Sequence, residues 1–515
     1  MIDRSVLSGA YFSQEHVARH QLDSYNHFIE HNLQKVVNEQ RIVETEIVNR
    51  GKNQEPVWVE LGNIRVEKPI VREADGSQSK LYPTEARLRN LTYAAPMVLE
   101  MTLHQGDKVF PVQETTIGQL PVMIGSKVCN LCGLSIDERT EQGEDPCDPG
   151  GYFIVNGTER VLMTLEDLAS NKIMTEYTER YNEQIHVAKV FSQFRGYRAL
   201  VVEKNQQNLL DVSFPSVAGH LRFADLMRAL GLESDEEIVS AVSLDEDILT
   251  YMMQNLEESE CATVEEGVMY VGKKLAPNQT KDYQRKRAEF VLDSYLLPHL
   301  NYLIPANLKP GDEGYAEYAR DVRVAKAEFL GRMAEACFDL ALSKRRIDDK
   351  DHYSNKRLKL AGDLMEDLFR ISLNRLTRDV KYQLERASMR HRELAIGTVV
   401  RADVLTERLI HPLATGNWVG GRTGVSQLMD RIDHMSVISH LRRVISPLSR
   451  SQPHFEARDL HPTQWGRICP SETPEGPNCG LVKNFAQLVE ISKGTDEDEI
   501  LRVIQGMDIQ PIRSE

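Results

Sequence analysis

A chain of 515 residues exceeds what one hydrophobic core organises and divides into about two to four domains. Its 41% hydrophobic and 27% charged residues are an ordinary soluble composition, with no apolar run long enough to cross a bilayer and no basic-then-apolar leader after Met1, which predicts a cytoplasmic protein. A net charge of −15 excludes a protein that coats nucleic acid over its whole surface, and seven thinly spread cysteines exclude a disulfide framework.

Along residues 14–40, Leu22, Tyr25, Phe28, Ile29, Leu33, Val36 and Val37 recur at spacings of three and four, predicting an amphipathic helix. Residues 44–119 shorten into strand-like runs at Val57–Leu61, Met97–Leu103 and Lys108–Val112, punctuated by Gly and Pro. After Asn171 come two further strand runs, His186–Phe191 and Tyr197–Val202. Helical segments follow from Phe223 to about Leu300 and carry an acidic cluster between Glu233 and Glu266. Residues 356–390 form the clearest long helical region, with Leu360, Leu364, Leu368, Phe369, Leu373, Leu376, Val380 and Leu384 on one face, expected to pack back on the first domain. Near the end, Thr495 reads as the N-cap of a last helix that runs to Gln505 and begins with acids. No repeat or low-complexity tract is present, and the fold class is α+β.

Several short patterns invite chemistry. Gly267-Val-Met-Tyr-Val-Gly-Lys-Lys274 approaches a phosphate-binding loop, but Lys274 replaces the hydroxyl residue that holds magnesium, so a strand and turn is expected. Cys129, Cys132 and Cys147 supply three thiols with no fourth ligand nearby, so the sequence leaves open whether they bind metal. His16 and His20 read as a solvated helix face, and Asp348–Asp351 and Asp496–Glu499 as solvated charge runs rather than magnesium sites.

The densest signal is His461-Pro-Thr-Gln-Trp-Gly-Arg-Ile-Cys-Pro-Ser-Glu-Thr-Pro-Glu-Gly-Pro-Asn-Cys-Gly-Leu-Val-Lys483. Three prolines fix φ and three glycines admit close approaches, so the loop is stiff and can hold Arg467, Glu472, Glu475, Asn478 and Lys483 at set positions. Arg442, Arg443, Arg450 and Arg458 crowd ahead of it; arginines, amides and a tryptophan on a stiff frame suit phosphate positioning and base stacking, or else a surface salt-bridge network.

This loop resembles the fork of the second-largest subunit of multisubunit DNA-dependent RNA polymerases, of the archaeal and eukaryotic kind. The likeness continues in Gln21–Phe28, Tyr82–Tyr93, Leu120–Lys127, Gly150–Arg160, Asp349–Leu358, Ala414–Trp418, Gly424–Leu428 and Ser439–Arg443, in the family's order. Its length resembles the N-terminal half of a subunit that many archaea encode as two polypeptides, and the ending reads as a complete capped helix. The resemblance implies a protrusion from residues 1–170 and 356–418, a lobe inserted at 171–355, a fork at 419–490 and the start of an external domain at 491–515. It implies a non-catalytic core subunit, active only in the nucleotidyltransferase complex with the C-terminal half and the largest-subunit chains, alongside template DNA and the RNA–DNA hybrid. By motif matching, Arg422, Gln427, Arg443, Arg450, Glu475 and Lys483 fall where the fork faces the hybrid; Arg442, Arg458, Arg467, Asn478 and, from the protrusion, Arg160 join them as nucleic-acid-binding candidates. The catalytic Mg2+ is implied to sit on the largest subunit, so no catalytic or metal residue is assigned here. The segment Val419–Gly424 is shorter than its eukaryotic equivalent, which weakens any strand-separating role for that loop. A free-standing nucleic-acid-binding regulator on the same scaffold is the alternative.

Overall fold

The first apolar stripe folds as its spacing predicts. In the computed structural model, Gln14–His27 and Leu33–Glu39 are α-helical, joined through a π-helical turn at Phe28–Asn32. The structure describes residues 4–11, 14–48, 56–73, 75–180, 183–194, 196–205, 207–217, 219–304, 314–390, 395–492 and 497–507. Tyr25, Phe28, Leu33, Val36 and Val37 are buried, and the Phe28 ring meets Phe369 edge-on at 6.4 Å.

The chain divides into two units, Met1–Asp167 with Leu358–Glu515, and Leu168–Arg357. In the first, Ile42–Val48, Pro56–Val66, Ala94–Gln105 and Gln113–Pro121 form an antiparallel sheet. Val57, Val59 and Leu61 are buried while their neighbours are more open, as a period of two requires, and their partners are Gln105, Leu103 and Met101. The strand expected over residues 108–112 stops at Val109, because Pro111 has no N–H to donate to a ladder.

Of the long helical region, only Ala361–Met389 is helical; Lys356–Lys359 is extended. The helix starts late because Asp363 accepts from the Leu360 N–H at 2.9 Å and two side chains of the opening helix take the next orphan donors: Gln21 Oε1 from Ala361 N at 3.2 Å, Ser24 Oγ from Gly362 N at 2.9 Å. Gly362 is required there, since a Cβ would run into the Ser24 carbonyl. Leu364, Leu368, Phe369, Leu373 and Leu376 complete the core against the opening helix.

In the second unit, Met174–Arg180, Glu183–Gln193, Tyr197–Lys204, Leu210–Ser213 and Leu221–Arg222 make an antiparallel meander in chain order. Helices from Phe223–Ala229 to Tyr315–Ala341 follow, and Leu330, Met333 and Phe338 of the last pack in one core with Val190, Leu200 and Val212.

Three readings are corrected. Gly267–Lys274 is not strand and turn but lies inside the helix Val264–Leu275, opened by a reciprocal cap between Thr263 and Glu266. Its two glycines let neighbouring backbone close in, Ala229 N to 2.7 Å and Gln284 O to 2.7 Å of where a Cβ would sit, so they serve helix packing. The Asp348–Asp351 run is not a solvated helix end: Asp348 accepts from Thr175 N and Oγ1 at 2.8 and 3.0 Å, and Asp351 pairs with Lys356 at 3.1 Å. His20 is half-buried rather than on an open helix face; its ring meets Phe485 edge-on at 5.3 Å and its Nε2 lies 3.2 Å from Leu441 O.

The final helix is described over Glu497–Gly506, and the Thr495 cap and Asp496 lie outside the described residues. Among the described residues no helix is long and apolar enough to cross a membrane. Cys129 is buried beside the Tyr93 hydroxyl at 3.3 Å while Cys132 and Cys147 are exposed, and among the described residues no three His, Cys, Asp or Glu side chains converge as a metal site.

Candidate nucleic-acid interface

The Pro- and Gly-rich loop hangs from a short buried ladder. Arg443–Ile445 runs parallel to Thr164–Leu168 and antiparallel to Val482–Asn484, and Val444, Ile445, Val482 and Phe485 are buried. Ser446 N donates to Leu481 O at 2.8 Å, so both ends of residues 446–481 are joined at the ladder.

Beneath it Lys483 is sequestered. Its Nζ lies 3.1 and 3.3 Å from the two carboxylate oxygens of Glu166, and Ser446 Oγ adds a bond to Oε1 at 3.1 Å. Lys483 is 5% and Glu166 4% exposed. A buried pair of this kind keeps both charges compensated and ties the strand Thr164–Leu168 to the end of the loop.

Arg458 closes the loop on itself. Its guanidinium donates to the carbonyls of Pro453 at 2.7 Å and of Pro477 and Cys479 at 2.8 Å each, with Gln452 at 3.3 Å. The planar fork of arginine suits this splay of acceptors, where a lysine's point charge would not. Gly480, at φ +73°, passes so close to the Arg458 backbone that a Cβ there would collide with it. Thr473 Oγ1 donates to Val482 O at 3.0 Å and accepts from Gly480 N at 2.9 Å. Glu472 accepts from Ser439 Oγ at 2.6 Å and from Asn484 Nδ2, which fixes its carboxylate towards the protein.

The sequence-predicted residues therefore fall in two groups. Arg442 is buried and donates to Ala486 O at 2.8 Å; Arg422 pairs with Asp167 at 2.6 Å; Arg458 and Lys483 are held as above. Gln427 donates to Gly424 O at 3.1 Å, and its Oε1 lies 3.3 Å from His440 Nε2. His440 Nδ1 accepts the Asp430 N–H at 3.1 Å, so Nε2 carries the ring proton and donates to Gln427. Desolvation, reinforced by the nearby Arg443 cation, holds His440 down at about 4. The other group faces outward. Arg450, Arg467 and Glu475 are exposed, Arg443 is half-buried, and Trp465 is 85% exposed. Asn478 is half-buried, with an Oδ1 that has no hydrogen-bond donor, and Arg160 lies half-buried on Thr158–Leu162 opposite Leu428.

Sequence reasoning missed the partners that hold this frame. Glu166 and Asp167 sit in an apolar run with no motif around them. Arg431, which bridges Glu159 at 2.6 Å and Asp148 at 3.0 Å over the Tyr152 ring, also carries no local signature.

A family profile described as RNA polymerase beta subunit matches residues 16–407, and one described as RNA polymerase Rpb2, domain 3, matches residues 427–491. The chain is 60% identical over 506 residues to the DNA-directed RNA polymerase subunit Rpo2N of Halobacterium salinarum, across 97% of this chain and 94% of that one. It is 48% identical over 513 residues to Rpo2N of Methanococcus vannielii, across 98% of each. Against subunit Rpo2 of Saccharolobus shibatae it is 45% identical over 505 residues, which take in 98% of this chain and 43% of that one.

Proposed function

We propose, from the premise that the chain belongs to the RNA polymerase beta-subunit family, that it forms one side of the DNA cleft and carries the fork beside the active centre. It is a core subunit of a DNA-directed RNA polymerase, and so part of a nucleotidyltransferase complex. In this reading the unit Met1–Asp167 with Leu358–Glu515 contains the protrusion and the fork, and Leu168–Arg357 is the lobe. Its partners are the chain carrying the C-terminal half of the second-largest subunit, the largest-subunit chains, template DNA and the RNA–DNA hybrid. The setting is the cytoplasm.

The observation that carries the fork reading is the closure of residues 446–481 by Arg458 and the Lys483–Glu166 pair, which leaves Arg450, Arg467 and Trp465 outward. A loop closed by its own protein holds its outward arginines in place, with little ordering left to do on binding phosphates. Arg160, Arg443, Arg450, Arg467, Glu475 and Asn478 face nucleic acid in this assignment. Arg458 and Lys483 act through the loop, and Arg422, Gln427 and Arg442 through the strands and turns beside it, as positioning residues. The catalytic magnesium belongs to the largest subunit; no residue of this chain is assigned to it.

The test is nucleotide addition on a primed RNA–DNA scaffold by polymerase assembled from separate subunits, with and without this chain. Extension only in its presence supports an obligatory core role in the cleft. Equal extension without it would overturn that role and favour a free-standing regulator, for which no present observation argues.

A further inference from the structure

The helix Lys281–Ser294 of the second unit buries Gln284, Ala288, Val291 and Leu292 and turns its other side to solvent. On that side Tyr283, Arg287 and Phe290 stand at i, i+4 and i+7, one column along the helix, with Lys286 beside them. Tyr283 is 52% and Phe290 50% exposed. The Arg287 guanidinium lies 5.5 Å from the Phe290 ring centre, Phe290 meets Tyr295 edge-on at 6.0 Å, and Arg198 lies 5.1 Å over Tyr295. The order along the surface is cation, ring, ring, cation.

The helix's own acids do not neutralise this face. Asp293 takes a two-pronged bond from Arg323 at 2.7 and 2.9 Å, and Glu289 pairs with Arg285 at 3.2 Å. Of this helix's three acids that leaves Asp282, against Lys286 and Arg287 on the same helix and Arg198 over Tyr295, in a chain whose net charge is −15.

We infer that this column is a platform for an unpaired strand of DNA or RNA, whose bases stack on Tyr283 and Phe290 while its phosphates meet Lys286, Arg287 and Arg198. Exposed rings flanked by cations are what sequence-tolerant single-strand binding uses, whereas a duplex keeps its base faces stacked inside. An acidic polypeptide would be served by the cations and would leave two half-exposed rings without a role. The inference goes beyond the fork reading and does not rest on it, since every residue named here lies in the Leu168–Arg357 unit.

Assembled polymerase is irradiated with short unpaired DNA or RNA oligonucleotides carrying 5-iodouracil, and the crosslinked peptides are mapped. Crosslinks should fall on the peptide holding Tyr283 and Phe290, and resist competition by unlabelled duplex. Alanine at both rings should lower them at least about fivefold, Phe290→Tyr should retain them, and Lys286→Ala should flatten the salt dependence by about 0.7 in logarithmic slope. Thermal unfolding of these surface variants should match the parent. Stronger labelling by one nucleic acid identifies the strand concerned. No crosslink on that peptide from either strand, or equal competition by duplex, would overturn the inference; competition by poly-glutamate would overturn it in favour of an acidic protein partner.

Discussion

Lys483 and Glu166, 317 positions apart in the chain, meet as a buried ion pair in which one ammonium reaches both oxygens of one carboxylate. Lys483 is 5% and Glu166 4% exposed, so the two charges meet out of reach of bulk water.

Lys483→Met should take the ammonium from the buried Glu166 carboxylate, at a cost of roughly 3–5 kcal/mol, whereas Lys483→Met with Glu166→Leu should recover most of it. Thermal or urea unfolding of the four species forms the cycle. Strictly additive losses would show that the pair carries no coupling.

Arg458→Lys should act on the loop more than on the fold. Three ammonium hydrogens on a flexible stem cannot serve carbonyls splayed between Pro453 and Cys479. Limited proteolysis between residues 446 and 481 should quicken, and nucleotide addition should fall, by up to about 10²-fold if the loop shifts by an ångström. An unchanged cleavage pattern would remove Arg458 from this role.

Arg450→Ala and Arg467→Ala should weaken retention of the nucleic-acid scaffold uniformly across sequences. Each lost phosphate contact should reduce the logarithmic salt slope by about 0.7 to 0.9. A slope equal to the parent's for both variants would mean that neither arginine meets a phosphate.

Acid should loosen the first unit through His440. Unfolded, this histidine takes a proton near 6.5; folded, desolvation and Arg443 hold it at about 4, against the weaker opposing pull of Asp430. Between those values the unfolded state binds the proton and the folded state does not, so stability falls as pH drops from about 6.5 to about 4 and is flat above. The loss is at most about 3 kcal/mol. His440→Gln should flatten that dependence in the first unit's unfolding transition, while the second unit, whose half-buried His299 is also held at about 4, keeps its own.

Gly362→Ala should cost about 1–3 kcal/mol, because the added methyl meets the Ser24 carbonyl where the two helices touch. A melting temperature equal to the parent's would show that the helices can part there freely.

What the sequence made legible was periodicity and punctuation. The 14–40 stripe, the 361–389 helix and the strands around Val57, Met97, His186 and Tyr197 all announce themselves through spacing, because burial on one face leaves a repeat of 3.6 or two. The punctuation of the 461–483 loop was legible too, in its prolines and glycines. What was not legible depends on partners distant in sequence. Nothing near Lys483 says that Glu166 will take its charge, and Arg458 looks like any loop arginine until the carbonyls of Pro477 and Cys479 are brought to it. The Gly267 helix was misread because two glycines suggest a turn unless the neighbouring backbones that need their missing side chains are known. His20 was misread in the same way, since its partner Phe485 arrives more than four hundred residues later.

The insertion of Leu168–Arg357 between the two halves of one core also sets a timetable for synthesis. The opening helix leaves the ribosome with its apolar face bare, and the helix that covers it, Ala361–Met389, is not made until the whole inserted unit has been translated. At ordinary elongation rates that wait is roughly 10 to 40 seconds, long against the microseconds in which helices form and ample for the inserted unit to fold first. A nascent chain in that interval lacks Phe369 against Phe28, and its yield in a cell should depend on chaperones that shield that face until the second half arrives.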